Sequence, residues 1–443
     1  MEWTKLLSGK RLGVENYHER KHERTNFQRD YDRLIFSSPF RRLQNKTQVF
    51  PLPGSIFVHN RLTHSLEVSC VGRSLGKNVS SRLIRKYGCV EADGANFSEI
   101  DSIVSAACLA HDMGNPPFGH SGERAISAYF TDGKGTQFER QVRNEGGRWE
   151  DFLHFEGNAN AMRLLTHQFA GRREGGFALT YGTLASVVKY PFASIHATKG
   201  KFGFFQTEED TYLRIAGELG IPEKVPGKNI YARYPLVYLV EAADDICYQI
   251  MDIEDAHKLR LLTKDEVLEL FLGFFEGKRL EDIRRTMMMV NDTNERIAYL
   301  RSCIIGLLVD ECTQEFLDNE ERFLEGTYGK PLIEGVSDIA RRAYKTCSDA
   351  AYRKIYVSRD VVDIELAGYH IFGYLLETII DAMMNPNHSY SKLLLSRVPN
   401  QYDVCAPTTY GKIQCALDYI SGMTDVYALD LYRKITGMSL PAV

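Results

Sequence analysis

Nowhere in the 443 residues is there an uninterrupted apolar run long enough to cross a bilayer, which takes about 20 residues. The N-terminal stretch carries no signal-peptide pattern either. The expected compartment is therefore the cytoplasm, with no membrane partner. An excess of one charge is also missing: 54 Lys and Arg oppose 58 Asp and Glu, a formal net charge of -4. That balance gives no bulk attraction for nucleic acid, although a local basic patch stays open. The nine cysteines, an odd number, are scattered at Cys70, Cys89, Cys108, Cys247, Cys303, Cys312, Cys347, Cys405 and Cys415, with no CxxC pair. Several sit among apolar neighbours, so reduced core thiols are expected rather than a disulfide or zinc framework. No internal repeat and no low-complexity linker divides the chain.

What is present is ordinary globular material. Hydrophobic residues make up 44% and charged residues 25%, enough to build a sizeable core. The length suits two or three domains, or one large helical one. Residues 1–33 read as a polar N-terminal arm, with the charge run at 18–24 solvated. A short helix follows, and Pro51, Pro53 and Gly54 break any regular element there. Leu66, Val71, Leu75, Val79 and Leu83, spaced by four after a first step of five, predict a helix over 64–87. A polar excursion is expected at 131–151, then helices at 156–169 and 180–190. The aromatic run from Phe202 to Phe205 reads as a short strand or loop. Pro235 suits the first turn of a long helix reaching about 258. Further helices are expected at 264–275, 279–290, 293–318, 337–346, 360–384 and 411–435. The fold class expected is all-α with at most a minor β-hairpin. Its main core would span 34–260, with a helical region over 261–443 packed on it as one structural unit.

The chemistry concentrates in residues 107–123. Ile100, Ile103, Val104, Ala107 and Cys108 form the inward stripe of a helix, and Ser98 with Asp101 reads as a capping box at its start. His111 continues that stripe, so an adjacent His111–Asp112 pair arrives at a buried helix end. A lone carboxylate is costly there unless paired or metal-bound. Gly114, Pro116 and Pro117 then stop the helix and stiffen a loop that delivers His120 and Glu123. A bare His-Asp dipeptide would more often be a helix cap; the second His-x-x-Glu pair behind a rigid loop tips the balance to a site.

Two other segments offer partners. Arg61 and His64, three apart, share a helix face. In the helix after Pro235, Leu236, Val240, Asp244, Tyr248 and Asp252 form one i, i+4 row within the apolar stripe. Asp245 lies about 100° round the helix, which makes Asp244 the buried carboxylate of the adjacent pair. His64, His111, Asp112 and Asp244 are a credible set for one divalent metal of the Mn, Fe, Zn or Mg kind, with positions left for water and substrate oxygens. A His steadied by a carboxylate, as His120 by Glu123, suits proton transfer.

The His…His-Asp…Asp order resembles the signature of the HD-domain phosphohydrolases. The surrounding words are more specific: Arg29-Asp-Tyr-Asp-Arg-Leu-Ile-Phe-Ser-Ser-Pro-Phe-Arg-Arg-Leu-Gln, His59-Asn-Arg-Leu-Thr-His-Ser, His111-Asp-Met-Gly-Asn-Pro-Pro-Phe-Gly-His-Ser-Gly-Glu, Lys189-Tyr-Pro, Lys201-Phe-Gly-Phe-Phe-Gln and Glu241-Ala-Ala-Asp-Asp-Ile-Cys-Tyr. Together they resemble the deoxyguanosine triphosphate triphosphohydrolase family, strongly over about residues 8–260 and weakly beyond. The resemblance implies an all-helical HD-domain fold and release of intact triphosphate from dGTP by water attack at the α-phosphorus.

It further implies one divalent ion on His64, His111, Asp112 and Asp244, with Mn²⁺ or Mg²⁺ foremost and Fe, Zn or Ni as alternatives. Catalysis would fall to His120 and Glu123. Substrate contacts would come from Gln48 at the sugar 3′-hydroxyl, Tyr248 and Asp252 beside the deoxyribose, and Arg61 and Lys189 on phosphate. Partners implied are a homo-oligomer, foremost a hexamer, and a single-stranded DNA or nucleotide effector. Asp245 departs from the pattern, standing where some relatives carry a phosphate-binding lysine, so Lys199, Lys201 or Arg296 would have to replace it. A broad dNTP triphosphohydrolase, another HD phosphodiesterase, and a nucleic-acid-binding protein with an inactive metal site are the competing readings.

Overall fold

The computed structural model describes residues 1–15, 23–50, 58–88, 91–92 and 95–439. Pro51, Pro53, Gly54, Cys89 and most of the charge run at 18–24 lie outside the described residues. Among the described residues there are 21 α-helices and two antiparallel ribbons, Glu91–Ala92 with Ala95–Asn96 and Glu223–Val225 with Ile230–Tyr231. The chain is all-α as expected, with two small ribbons where at most one was anticipated.

The long helix Arg61–Tyr87 starts three residues earlier than the apolar spacing predicts, because Asn60 and Thr63 form a capping box. The Thr63 amide donates to the Asn60 side chain at 2.9 Å, and the Asn60 amide to Thr63 Oγ1 at 3.1 Å. The helix ends at Gly88 in the left-handed conformation, φ 70°. It packs closely on helix Ile100–Ala110. The reason is two glycines: a Cβ at Gly72 would lie 2.5 Å from Cys108 Sγ, and one at Gly76 2.7 Å from Asp101 Cα. Leu66, counted in the apolar stripe, is exposed. The anticipated Ser98–Asp101 box does not form. A 3₁₀ turn over Phe97–Glu99 precedes the helix, and Asn96 caps that turn instead, accepting from the Ser98 amide at 3.0 Å.

Helix Val237–Lys258 and helix Thr293–Asp318 pack against this pair and complete the main core. Pro235 stands in the turn just ahead of Val237 rather than inside the helix. The first residues are less polar in effect than in composition: Trp3, Leu6, Leu7 and Leu12 are buried in the same core, and Trp3 Nε1 donates to Glu320 at 2.8 Å. A second core gathers helices His120–Thr131, Arg359–Met384, Thr409–Ser421 and Asp425–Ile435. The stretch expected to be one helix over 411–435 is broken at Gly422 into the last two of these. The supposed polar excursion at 131–151 holds short helices Glu139–Asn144 and Glu150–Leu153. Trp149 and Phe152 from that region are fully buried in the second core. Phe202 to Phe205 is a loop with one isolated parallel bridge, Phe204 to Ala193, and its three phenylalanines are buried, so its apolarity reflects burial rather than a regular strand.

Of the eight described cysteines, Cys108, Cys247, Cys312, Cys347 and Cys415 are buried, Cys303 is half-buried, and Cys70 and Cys405 are exposed; none is in a disulfide. No helix among the described residues is long and apolar enough to cross a membrane. Met113 belongs to the main core and Ala125 to the second, so the chain passes from one core to the other across the His111–Glu123 stretch.

Candidate metal centre and its cavity

Three donors meet where helices Arg61–Tyr87, Ile100–Ala110 and Val237–Lys258 converge. One ligand atom from each of His64, His111 and Asp244 lies within 4.8 Å of the others. Asp244 Oδ1 is 3.1 Å from His64 Nε2 and 3.6 Å from His111 Nε2. His111 Nδ1 donates to the Cys108 carbonyl at 2.6 Å, which fixes the ring and leaves Nε2 facing the cluster with no hydrogen-bond partner. A buried imidazole nitrogen held in this way is the usual arrangement of a metal-binding histidine. The donor set fits one divalent cation.

Asp112 is beside this trio rather than in it. Its Oδ1 is 3.6 Å from His111 Nε2, while Arg61 Nη1 donates to Oδ2 at 2.7 Å and Asn115 Nδ2 to Oδ1 at 2.5 Å. The four-residue set expected from sequence is therefore three mutually adjacent donors plus a carboxylate already engaged by a guanidinium.

The charges explain themselves. Burial alone would raise the Asp244 carboxyl, but the two histidines outweigh it and hold it well below the usual carboxylate range. Asp112 is likewise lowered against its burial, by Arg61 and then His111. Burial would lower His111, yet the Asp112 and Asp244 carboxylates raise it to about 9. Below that pH a metal ion must displace a proton from His111. Apparent Mn²⁺ affinity is therefore expected to rise with pH up to about 9 and then level off, with about one proton released per ion at pH 7. Calorimetry in buffers of different ionisation enthalpy reads that proton directly; an affinity flat from pH 6 to 9 would contradict it.

A cavity of about 240 Å³ opens beside the trio. Gln48, Arg61, His111, Asp112, His120, Glu123, Lys189, Asp244 and Tyr248 line it. His64 sits behind the wall, 2% exposed at its side chain. Asp252 lies one helical turn past Tyr248, off the wall and buried, where Tyr356 Oη donates to it at 2.7 Å. Burial pushes the Asp252 carboxyl up to about 7 against that hydrogen bond. Tyr356 also stacks on Tyr248 at 6.1 Å. Gln48 Oε1 and Arg61 Nε are buried without partners at the cavity. Lys189 Nζ is 3.2 Å from Glu241, whose charge raises the ammonium pKa against burial.

His120 and Glu123 share the cavity, but the hydrogen bond expected between them is absent among the described residues. Glu123 instead accepts from the Gly157 amide at 2.8 Å, at the start of helix Gly157–Thr166. Loop geometry decides this: Gly119 and Phe118 both have positive φ, 56° and 61°, and the chain turns sharply just before His120. The His120 side chain faces the open cavity. Although His120 itself is exposed to the cavity, the protein packed around it, then the Arg61 and Lys201 cations, push its imidazolium down to about 4. Burial raises the Glu123 carboxyl, with Lys201 opposing.

Glu156, Asn158 and Tyr190, which the sequence did not single out, also line the cavity. Of the three replacement cations, only Lys201 reaches the cavity, paired with Glu156 at 2.6 Å; Arg296 bonds the Val290 carbonyl instead. The signal that could have singled out Lys201 is its place directly ahead of an aromatic run that must be buried.

The HD domain family matches residues 61–176, which carry His64, His111, Asp112, His120 and Glu123. A deoxyguanosinetriphosphate triphosphohydrolase-like protein of Synechocystis sp. is 38% identical, covering 99% of this chain and 100% of its own. One from Pseudomonas aeruginosa is 37% identical with full coverage of both chains. One from Listeria monocytogenes is 31% identical over 99% of this chain and 100% of its own. Identity of this extent along the whole length, on a helical frame with a His/Asp cluster, leaves one assignment: the chain belongs to the deoxyguanosinetriphosphate triphosphohydrolase-like family of HD-domain phosphohydrolases.

Proposed function

We propose that the protein hydrolyses dGTP to deoxyguanosine and inorganic triphosphate. The observation that carries this reading is the single cavity in which metal donors His111 and Asp244 stand beside Arg61, Lys189 and Lys201. Such a cavity suits a ligand carrying several negative charges, since Lys and Arg bind phosphate oxygens through charge-assisted hydrogen bonds. His64, His111 and Asp244 would hold the divalent ion, Mn²⁺ or Mg²⁺, with Asp112 at its edge. Bound there, the ion would supply Lewis-acid polarisation of an α-phosphate oxygen.

The protein's own groups do the rest. Lys189, Lys201 and Arg61 take the phosphate oxygens. Gln48, with its free Oε1, accepts from the sugar 3′-hydroxyl, and Tyr248 packs against the deoxyribose with Asp252 and Tyr356 behind it. Water attacks the α-phosphorus, the bond from phosphorus to the 5′-oxygen breaks, and the nucleoside leaves as its alcohol. His120 is neutral at pH 7 before substrate arrives, so it can take the proton of the water. The incoming triphosphate reverses the local field and favours the imidazolium. That imidazolium can then deliver the proton to the 5′-oxygen. Glu123 fixes the loop through Gly157. The expected homo-oligomer has a candidate contact face in Val362, Leu366 and Tyr369, exposed on helix Arg359–Met384.

Incubation of dGTP with the protein and Mn²⁺ or Mg²⁺ is expected to yield deoxyguanosine and triphosphate on ion-exchange chromatography. Release of orthophosphate or pyrophosphate would sink the reading. Equal rates on all four dNTPs would keep the chemistry and remove the guanine preference.

A further inference from the structure

The turn between helices Thr409–Ser421 and Asp425–Ile435 carries no group that touches the cavity, yet it reaches two segments that do. Asp425 is buried, 7% exposed. Its Oδ2 accepts from the Thr47 backbone amide at 2.8 Å, and its Oδ1 from the Phe118 backbone amide at 2.9 Å. Thr47 immediately precedes Gln48, and Phe118 stands two residues ahead of His120. The same turn makes a second tie. The Ser421 carbonyl accepts from Lys46 Nζ at 2.8 Å, and that ammonium also donates to the Asn115 carbonyl at 2.6 Å. Among the described residues no backbone hydrogen bond joins 46–48 directly to 113–120.

Phe118 needs such support. Its φ of 61° is unfavourable for a bulky side chain, and the surroundings must hold it. Asp425 takes its amide, while its ring lies edge-on to Phe372 at 5.9 Å. Two N–H donors aimed at one side chain call for two acceptor oxygens, which a carboxylate has and an amide lacks.

We propose that Asp425 is a positioning residue. Through its two oxygens it sets the separation of Gln48 and His120 across the cavity, so a turn near the C-terminus governs substrate orientation without touching substrate. This rests on the proposed reaction for its functional part. Misplacement of about 1 Å can lower rate about 100-fold when chemistry depends on orientation.

The test is Asp425→Asn, which keeps size and one acceptor while setting an NH₂ against the other amide. Hydrogen exchange by mass spectrometry is expected to speed up at least tenfold in peptides covering 44–49 and 114–121. Protection in helices Arg61–Tyr87 and Val237–Lys258 should stay unchanged. Mn²⁺ affinity should stay within about twofold of wild type, while kcat for dGTP falls by about 10- to 100-fold, the range expected for misorientation. If Asp425→Asn fails to fold, Lys46→Met removes the companion tie and is expected to loosen the same peptides. Wild-type exchange in both peptides overturns the proposal, as does wild-type turnover in a variant whose exchange has risen. Joint loss of metal binding and turnover also overturns it, since the damage would then be general. Exchange and metal binding are read without nucleotide. A wild-type protein inert toward dGTP would therefore sink the reaction, while these two readouts still decide whether Asp425 joins the segments.

Discussion

Asp244→Ala is expected to lower Mn²⁺ affinity by more than about 100-fold, beyond the 10- to 100-fold that loss of an outer-shell partner causes. Asp245→Ala should leave it within about tenfold of wild type by the same measure. The two carboxylates are neighbours in sequence and both half-buried, but they face different partners. Asp244 Oδ1 bridges the two histidines at 3.1 and 3.6 Å. Asp245 is absent from the donor cluster; burial pushes its carboxyl up to about 7, with Lys189 the strongest opposing charge. Removing Asp244 leaves two imidazoles without the carboxylate that favours a cation between them. Removing Asp245 takes away a group that half-neutralises at pH 7 and faces a lysine. Calorimetric titration of both variants with Mn²⁺ gives the comparison, and a reversed order would show that Asp245 carries the metal.

His120→Ala is expected to retain metal and lose about 10²- to 10⁴-fold in kcat, the usual contribution of a positioned acid–base group. His120 lies outside the donor cluster, so its removal leaves His64, His111 and Asp244 as they are. What disappears is an exposed imidazole on the cavity wall, biased to its neutral form by the protein packed around it and by Arg61 and Lys201. Steady-state kinetics paired with Mn²⁺ titration separates the two functions. An active variant would move the proton-transfer role elsewhere on the wall, and a variant without metal affinity would make His120 part of the centre.

Lys201 and Lys189 both reach the cavity from loops between helices.

Local periodicity did not separate Asp244 from Asp245, which are both half-buried, but it was enough to assign the helical class and the Arg61–Tyr87 and Thr293–Asp318 helices. Those features depend on spacing within a few residues, and the 3.6-residue repeat reports which side chain faces the core. Tertiary structure alone decided who meets whom. Glu123 turned to the Gly157 amide rather than to His120, because the positive φ angles at Phe118 and Gly119 set the direction of the loop. Asp112 was taken by Arg61 and Asn115, Lys201 was chosen over Lys199 and Arg296, and Asp425 reached Thr47 and Phe118 from more than 300 residues away in sequence. A hydrogen bond across such separations leaves no trace in local pattern, since its geometry depends on how two cores pack and where the chain crosses between them.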